Sequence, residues 1–156
     1  MENIVENNFH SFSLFIQINM DGFTISVSDK NRIISTKKEL QLDILNLSEN
    51  EILAALSNVD ELKLNYGEVC VTFETHKYTI IPKSIFIADN ASDFLKFQFQ
   101  EVNKNEIISY NDLIFNEAII IFTIPNSISN VIRFFFPEVE IKHHLAMIFI
   151  DHVSLQ

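Results

Sequence analysis

The chain has 156 residues, 47% hydrophobic and 21% charged, enough to bury one core and unlike a disordered polar chain. Acidic side chains outnumber basic ones 21 to 11, a formal net charge of −10. A like-signed phosphate backbone gains nothing from approaching such a surface, which excludes nucleic acid as an expected partner. One cysteine and two glycines exclude an internal disulfide framework, a multi-cysteine zinc site and glycine-rich phosphate cradles, and fit a reducing compartment.

The N-terminus carries Glu2 and Glu6 where a secretory signal needs basic residues followed by a long apolar core. The most apolar runs, Ala118 to Ile124 and Leu145 to Ile150, fall far short of the ~18 residues of a membrane span. The expectation is a cytoplasmic chain with no membrane insertion, forming one domain over residues 1–156 with residues 1–11 disordered.

From Leu14 the sequence alternates with period two: Leu14, Ile16, Ile18 and Met20 on one face, Phe15, Gln17 and Asn19 on the other. Asp21-Gly22 follows, then Phe23, Ile25 and Val27 alternate with Thr24, Ser26 and Ser28. Two alternating runs joined by Asp-Gly predict a hairpin, because Gly22 supplies positive φ at little cost. Asp29 to Arg32 make a second turn into a third strand from Ile33 to Leu42, whose Lys37 and Lys38 suit a sheet edge.

Ser48 and Glu51 have capping-box spacing, and Ile52, Leu53, Leu56 and Val59 form a helical stripe after them. Val69, Val71 and Phe73 mark another strand. Tyr78 to Ile81 are expected to return from a turn near His76 as its hairpin partner, closed by Pro82. A second helix is predicted from Ala91 to Val102, capped by Asn90 or Ser92.

Ile107 to Phe115 read as a strand with Asn116-Glu117 as its turn. Ala118 to Ile124 form an apolar run without alternation, as in a central strand buried on both faces. A helix from Pro125 through Phe135, a strand over Val139 to His143 and a helix over His144 to Val153 complete the chain. Strand, helix, strand, helix is a crossover order, so part of the sheet is expected to be parallel. The fold class is α/β or mixed α+β.

This order resembles one lobe of the actin-like ATPase (ribonuclease-H-like) fold: a three-stranded meander, then a helix, then strands parallel to the first. The resemblance rests on Phe15 to Phe23, on Val69 to Phe73 with Tyr78 to Phe86, and on Ala118 to Pro125 with the following helix and strand. It is nearest to the PilM and FtsA branch, and nearer still to actin-like proteins of Bacteroidetes-type bacteria. In that fold the first hairpin holds nucleotide phosphates with an Asp-x-Gly loop, small polar residues and a Lys or Gln. The resemblance places Asn19 at the Asp position, Asp21 at the Gly position and Ser26 near the basic position. A shifted alignment on Asp21-Gly22 leaves Phe23 in the cradle. A neutral amide does not replace a carboxylate on Mg²⁺, and a carboxylate repels phosphate. The resemblance therefore implies a degenerate nucleotide site at Asn19, Asp21, Gly22 and Ser26.

Other chemistry-bearing residues read as structural. His144 and His152 lie eight residues apart, ~12 Å along a helix, too far to share an ion with each other, so His143, His144 and His152 are expected to be partly exposed histidines without a metal. Asp151-His152 lacks a serine in a nucleophile elbow. Cys70 in an apolar strand reads as packing. Of Phe134, Phe135 and Phe136, two are expected to pack inward with the third turned away by Pro137, or else one marks a partner patch. Glu49, Glu51, Asp60 and Glu61 read as a solvated face.

The leading expectation is a non-catalytic scaffold or interaction module that binds another protein or itself and carries no cofactor. The alternative is the ATP·Mg-binding half of an actin-like ATPase, completed by a second lobe or chain.

Overall fold

A computed structural model describes residues 9–113 and 116–151. Of the segment expected to be disordered, Phe9–Ser11 form a single 3₁₀ turn; residues 1–8 lie outside the described residues, as do residues 114–115 and 152–156.

The larger sheet begins as the sequence predicts. β1 (Ser13–Asn19), β2 (Gly22–Ser28) and β3 (Ile34–Gln41) form an antiparallel meander. The first turn is Met20-Asp21, and Gly22 takes φ 139°. A Cβ there would lie 1.9 Å from the Leu40 carbonyl oxygen, so the bare glycine lets β3 close on the hairpin tip. β3 is the edge, and Lys38 pairs with Glu61 at 2.8 Å.

α1 (Glu49–Ser57) starts on the predicted capping box: the Glu51 amide donates to the Ser48 hydroxyl, and the Ser48 amide donates to the Glu51 carboxylate. Ile52 and Leu56 are buried. After a 3₁₀ turn, β4 (Glu68–Phe73) pairs parallel with β1.

The predicted hairpin between β4 and the next strand does not form. β4 has β1 on one side and β8 (Ile141–His143) on the other, both parallel, so no edge is left for its sequence neighbour. β5 (Tyr78–Pro82) crosses instead into a second, three-stranded antiparallel sheet, ordered β5-β7-β6. β6 (Glu106–Leu113) and β7 (Ala118–Pro125) are joined through Asn116-Glu117, where Glu117 takes φ 47°.

β7 is the expected central strand, with every residue from Ile119 to Ile124 buried. Ile119 and Ile121 pack under α2 (Ala91–Gln98) with Leu95, while Ile120 meets Leu113 and Ala146. Phe122 and Ile124 join the main core. α2 ends at Gln98 rather than Val102, and Asn90 caps it without a side-chain hydrogen bond; Phe99 and Val102 still pack beneath it.

Parallel pairing is present, but between β1, β4 and β8. The crossover from β7 through α3 (Asn126–Phe135) leaves the small sheet for the large one. α1 and α3 cover one face of the large sheet, with Ile52, Leu56, Ile128 and Ile132 buried against Leu14, Ile16, Ile25 and Val71. α4 (His144–Asp151) reaches the opposite face, where its Met147 meets Cys70 of β4. Phe135 and Phe136 pack against the core while Phe134 is 66% exposed; the outward ring is the first of the three.

Gly22→Ala is expected to destabilise the protein by at least about 2 kcal/mol, since it combines a disfavoured φ with a backbone clash. Urea denaturation checks this, and an unchanged midpoint would contradict it.

Candidate functional site

Parallel strands β1 and β4 end side by side, tied where the Glu74 amide donates to the Ile18 carbonyl at 2.8 Å. In open α/β sheets, ligands bind beyond the carboxyl ends of parallel strands. A cavity of about 300 Å³ lies here, lined by Gln17, Asn19, Thr24, Thr72, Glu74 and His144, with Ile18 and Met147. Alternation brings these residues together: Gln17, Asn19, Thr24 and Thr72 point away from the aliphatic core face of the sheet. Among the described residues, Glu74 is the single carboxylate of the lining, and the lining holds no lysine or arginine.

The predicted phosphate-loop residues divide. Asn19 lines the cavity, but its side-chain oxygen accepts the Asp21 amide at 2.9 Å. That is an Asx turn, which commits the carboxamide oxygen to the backbone. Asp21 is exposed on the turn, and its carbonyl accepts the Leu42 amide at 2.9 Å. Gly22 is buried against Leu40 rather than opened toward a ligand. Ser26 sits in mid-strand between Phe15 and Lys37, four residues or ~13 Å along β2 from Gly22. The tip thus gathers Asn19, Asp21 and Gly22 and leaves Ser26 apart.

Gln17, Thr72, Glu74 and His144 were not legible as lining residues. The signal that could have found them is the parallel pairing of β1 with β4, which places Glu74 directly beyond the strand beside Asn19.

His143 differs from its expected partial exposure: it is fully buried. Its Nε2–H donates to the Thr75 carbonyl at 3.0 Å, its Nδ1 accepts the Leu145 amide at 3.2 Å, and its backbone amide donates to Asn111 Oδ1 at 2.7 Å. The ring packs on Tyr78, Phe122 and His144. Both ring nitrogens are satisfied in the neutral Nε2–H form, whereas a proton on Nδ1 would face a donor. Burial pushes the imidazole down to about 4, against the opposing pull of its bond to Thr75. Through Thr75 and Asn111 this residue ties β8 of the large sheet to β6 and to the segment entering β5.

His144 is part-buried, and its Nδ1 is buried without a hydrogen-bond partner. Cys70 Sγ lies 3.8 Å from Met147 Sδ. Among the described residues, no group of three His, Cys, Asp or Glu side chains is arranged to hold a metal ion. His152 and the Asp151-His152 pairing lie outside what is described.

The five-stranded sheet, with its meander, its parallel β4 and β8 and its helices, defines the chain as having the actin-like ATPase fold. It is similar to a protein from Bacteroides thetaiotaomicron VPI-5482 whose crystal structure is described as an actin-like ATPase fold of unknown function, with a TM-score of 0.82 and 23% identity. The likeness covers 99% of this chain and 60% of that one, so the chain spans about three-fifths of the relative's length. The chain belongs to a family of proteins of unknown function, DUF3822, which matches residues 3–156. No curated protein matches it. Among the described residues, no helix is long and apolar enough to cross a membrane.

The unfolded chain takes up a proton at His143 near pH 6.5, while the folded protein does so only near 4. Stability from this residue is therefore full above pH 6.5 and falls as pH drops through that window, by about 2 kcal/mol at pH 5. Urea midpoints of the native protein and His143→Phe across pH 7.5 to 5 should converge as pH falls. Imidazole NMR should show a neutral ring at pH 5; a charged ring there would contradict the assignment.

Proposed function

We propose that this chain is a non-catalytic actin-like scaffold or protein-interaction module with a degenerate nucleotide site. The observation that carries the reading is the Asn19 side chain, whose oxygen is held by the Asp21 amide at 2.9 Å. At this position a Mg²⁺-nucleotide needs a free carboxylate, and a triphosphate also needs cationic or bare-amide contacts. The cavity lining offers neither lysine nor arginine, and Gly22 is taken up by β3. On this reading the protein acts in the cytoplasm without a cofactor, membrane insertion or nucleic acid, and its kinship is with the PilM and FtsA branch and Bacteroidetes-type relatives.

Binding then falls to the surface. Phe134 is 66% exposed beside Leu64, which is 37% exposed, and both line a groove with Tyr66, Phe135 and Phe136. Exposed aromatic and aliphatic side chains grouped in this way favour a protein partner or a second copy.

A second reading has one observation in its favour. The similar solved chain is longer, with this chain covering 60% of it, so a nucleotide-binding half completed by another lobe fits the length relation.

Calorimetric titration with Mg·ATP separates the two readings. No saturable heat is expected at micromolar concentrations, and micromolar binding would overturn the scaffold in favour of the half-site. For the surface, light scattering at high concentration is expected to give a mass above the monomer. Phe134→Ser should restore the monomer while changing stability by less than about 0.5 kcal/mol; a strict wild-type monomer would sink self-association.

A further inference from the structure

The chain enters the described structure at the rim of the groove that holds Leu64 and Phe134. Phe9–Ser11 form a 3₁₀ turn, and His10 lines the groove together with Leu62, Val69 and the rings of Phe134 and Phe135. Gly67 seats this turn. A Cβ there would lie 2.1 Å from the His10 carbonyl oxygen, and the Gly67 amide donates to the Phe12 carbonyl at 3.1 Å. One of the chain's two glycines therefore serves to bring the N-terminal backbone close against the groove wall.

Residues 1–8, outside the described residues, lead directly into the turn. They carry one apolar pair, Ile4-Val5, between Glu2 and Glu6. The groove has the matching character: about 440 Å³, aromatic and aliphatic, with Lys63 and His10 in its lining and no carboxylate. Lys63 pairs with Asp60 at 3.2 Å. Arg133, the neighbour of Phe134, has no ion pair among the described residues. An apolar groove rimmed by bases favours an apolar segment that carries acids. Ile4 is six residues from His10, at most ~20 Å of extended chain, within reach while the turn stays seated.

We propose that residues 1–8 dock in their own chain's groove, with Ile4 and Val5 against Leu64 and Phe134, as a strap that competes with protein partners. This rests on the reading above that the groove is the binding surface. Tethering presents the segment at ~millimolar effective concentration, which a second copy in dilute solution does not match.

The test is methyl NMR of the full chain in dilute solution, with isoleucine, leucine and valine methyls labelled. Ile4 and Val5 should contact the Phe134 ring and the Leu64 methyls, and Phe134→Ser should remove the ring contacts. Random-coil shifts for Ile4 and Val5 in the native protein would overturn the strap. So would contacts seen only between differently labelled copies, which would place the segment on a second copy.

The double variant Ile4→Ser with Val5→Ser should free the groove without touching the described core, and distant methyl resonances check that it folds. The concentration at which scattered mass rises should fall about tenfold, as for release of a strap closed roughly nine-tenths of the time. An unchanged or higher concentration would contradict the strap. Should both proteins stay monomeric while the intramolecular contacts are present, the docked segment stands and self-association alone fails.

Discussion

The fold depends on β1 having partners on both edges: β2 antiparallel on one side and β4 parallel on the other. A parallel partner cannot be reached by a tight turn, so the chain must leave the sheet, build the meander and α1, and return. That return puts α1 on the core face and aligns the carboxyl ends of β1 and β4, which creates the cavity bounded by Asn19 and Glu74. β8 then adds to the free edge of β4, again in parallel, and leaves β5 no place in the large sheet. The second sheet, and the surface it exposes, follow from that exclusion.

The meander, the capped α1 and the buried β7 were legible because each is fixed by local chemistry. Gly22 sets a turn, Ser48 and Glu51 set a helix start, and an unbroken aliphatic run has nowhere to go but an interior. The pairing of β4 was not legible as a local feature. Val69 to Phe73 and Tyr78 to Ile81 look like two arms of one hairpin, since period-two alternation records which face is buried and says nothing of which strand lies alongside. The actin-like resemblance gave the parallel relation to β1, and local reading gave the hairpin. The long-range contact prevailed, as expected when a strand can be buried on both edges. His143 was misjudged for a related reason. Its burial comes from Tyr78 and Phe122 of the other sheet, elements distant in sequence.

The polar groups of the first hairpin tip are taken up by the fold itself. The tip carries a glycine and a side-chain acceptor, and both make internal contacts. Asn19 braces the Asp21 amide, the Met20 and Asp21 carbonyls take the Ile44 and Leu42 amides, and Gly22 makes room for Leu40. A loop whose polar groups satisfy one another is well ordered and has little left to offer a ligand.

The junction between the sheets has the opposite character. The buried His143 amide would be an unpaired edge donor of β8 if Asn111 did not accept it, and Asn111 in turn donates to Tyr110 and Glu140. Two sheets sharing a core need not be fixed relative to one another by apolar packing alone, because hydrophobic contact is non-directional. Directional bonds from one imidazole to Thr75 and Leu145, and from its backbone to Asn111, supply the missing constraint. Their geometry is compatible only with the neutral ring. The junction between the two sheets is therefore tied by directional bonds from a residue that forms no part of the cavity wall.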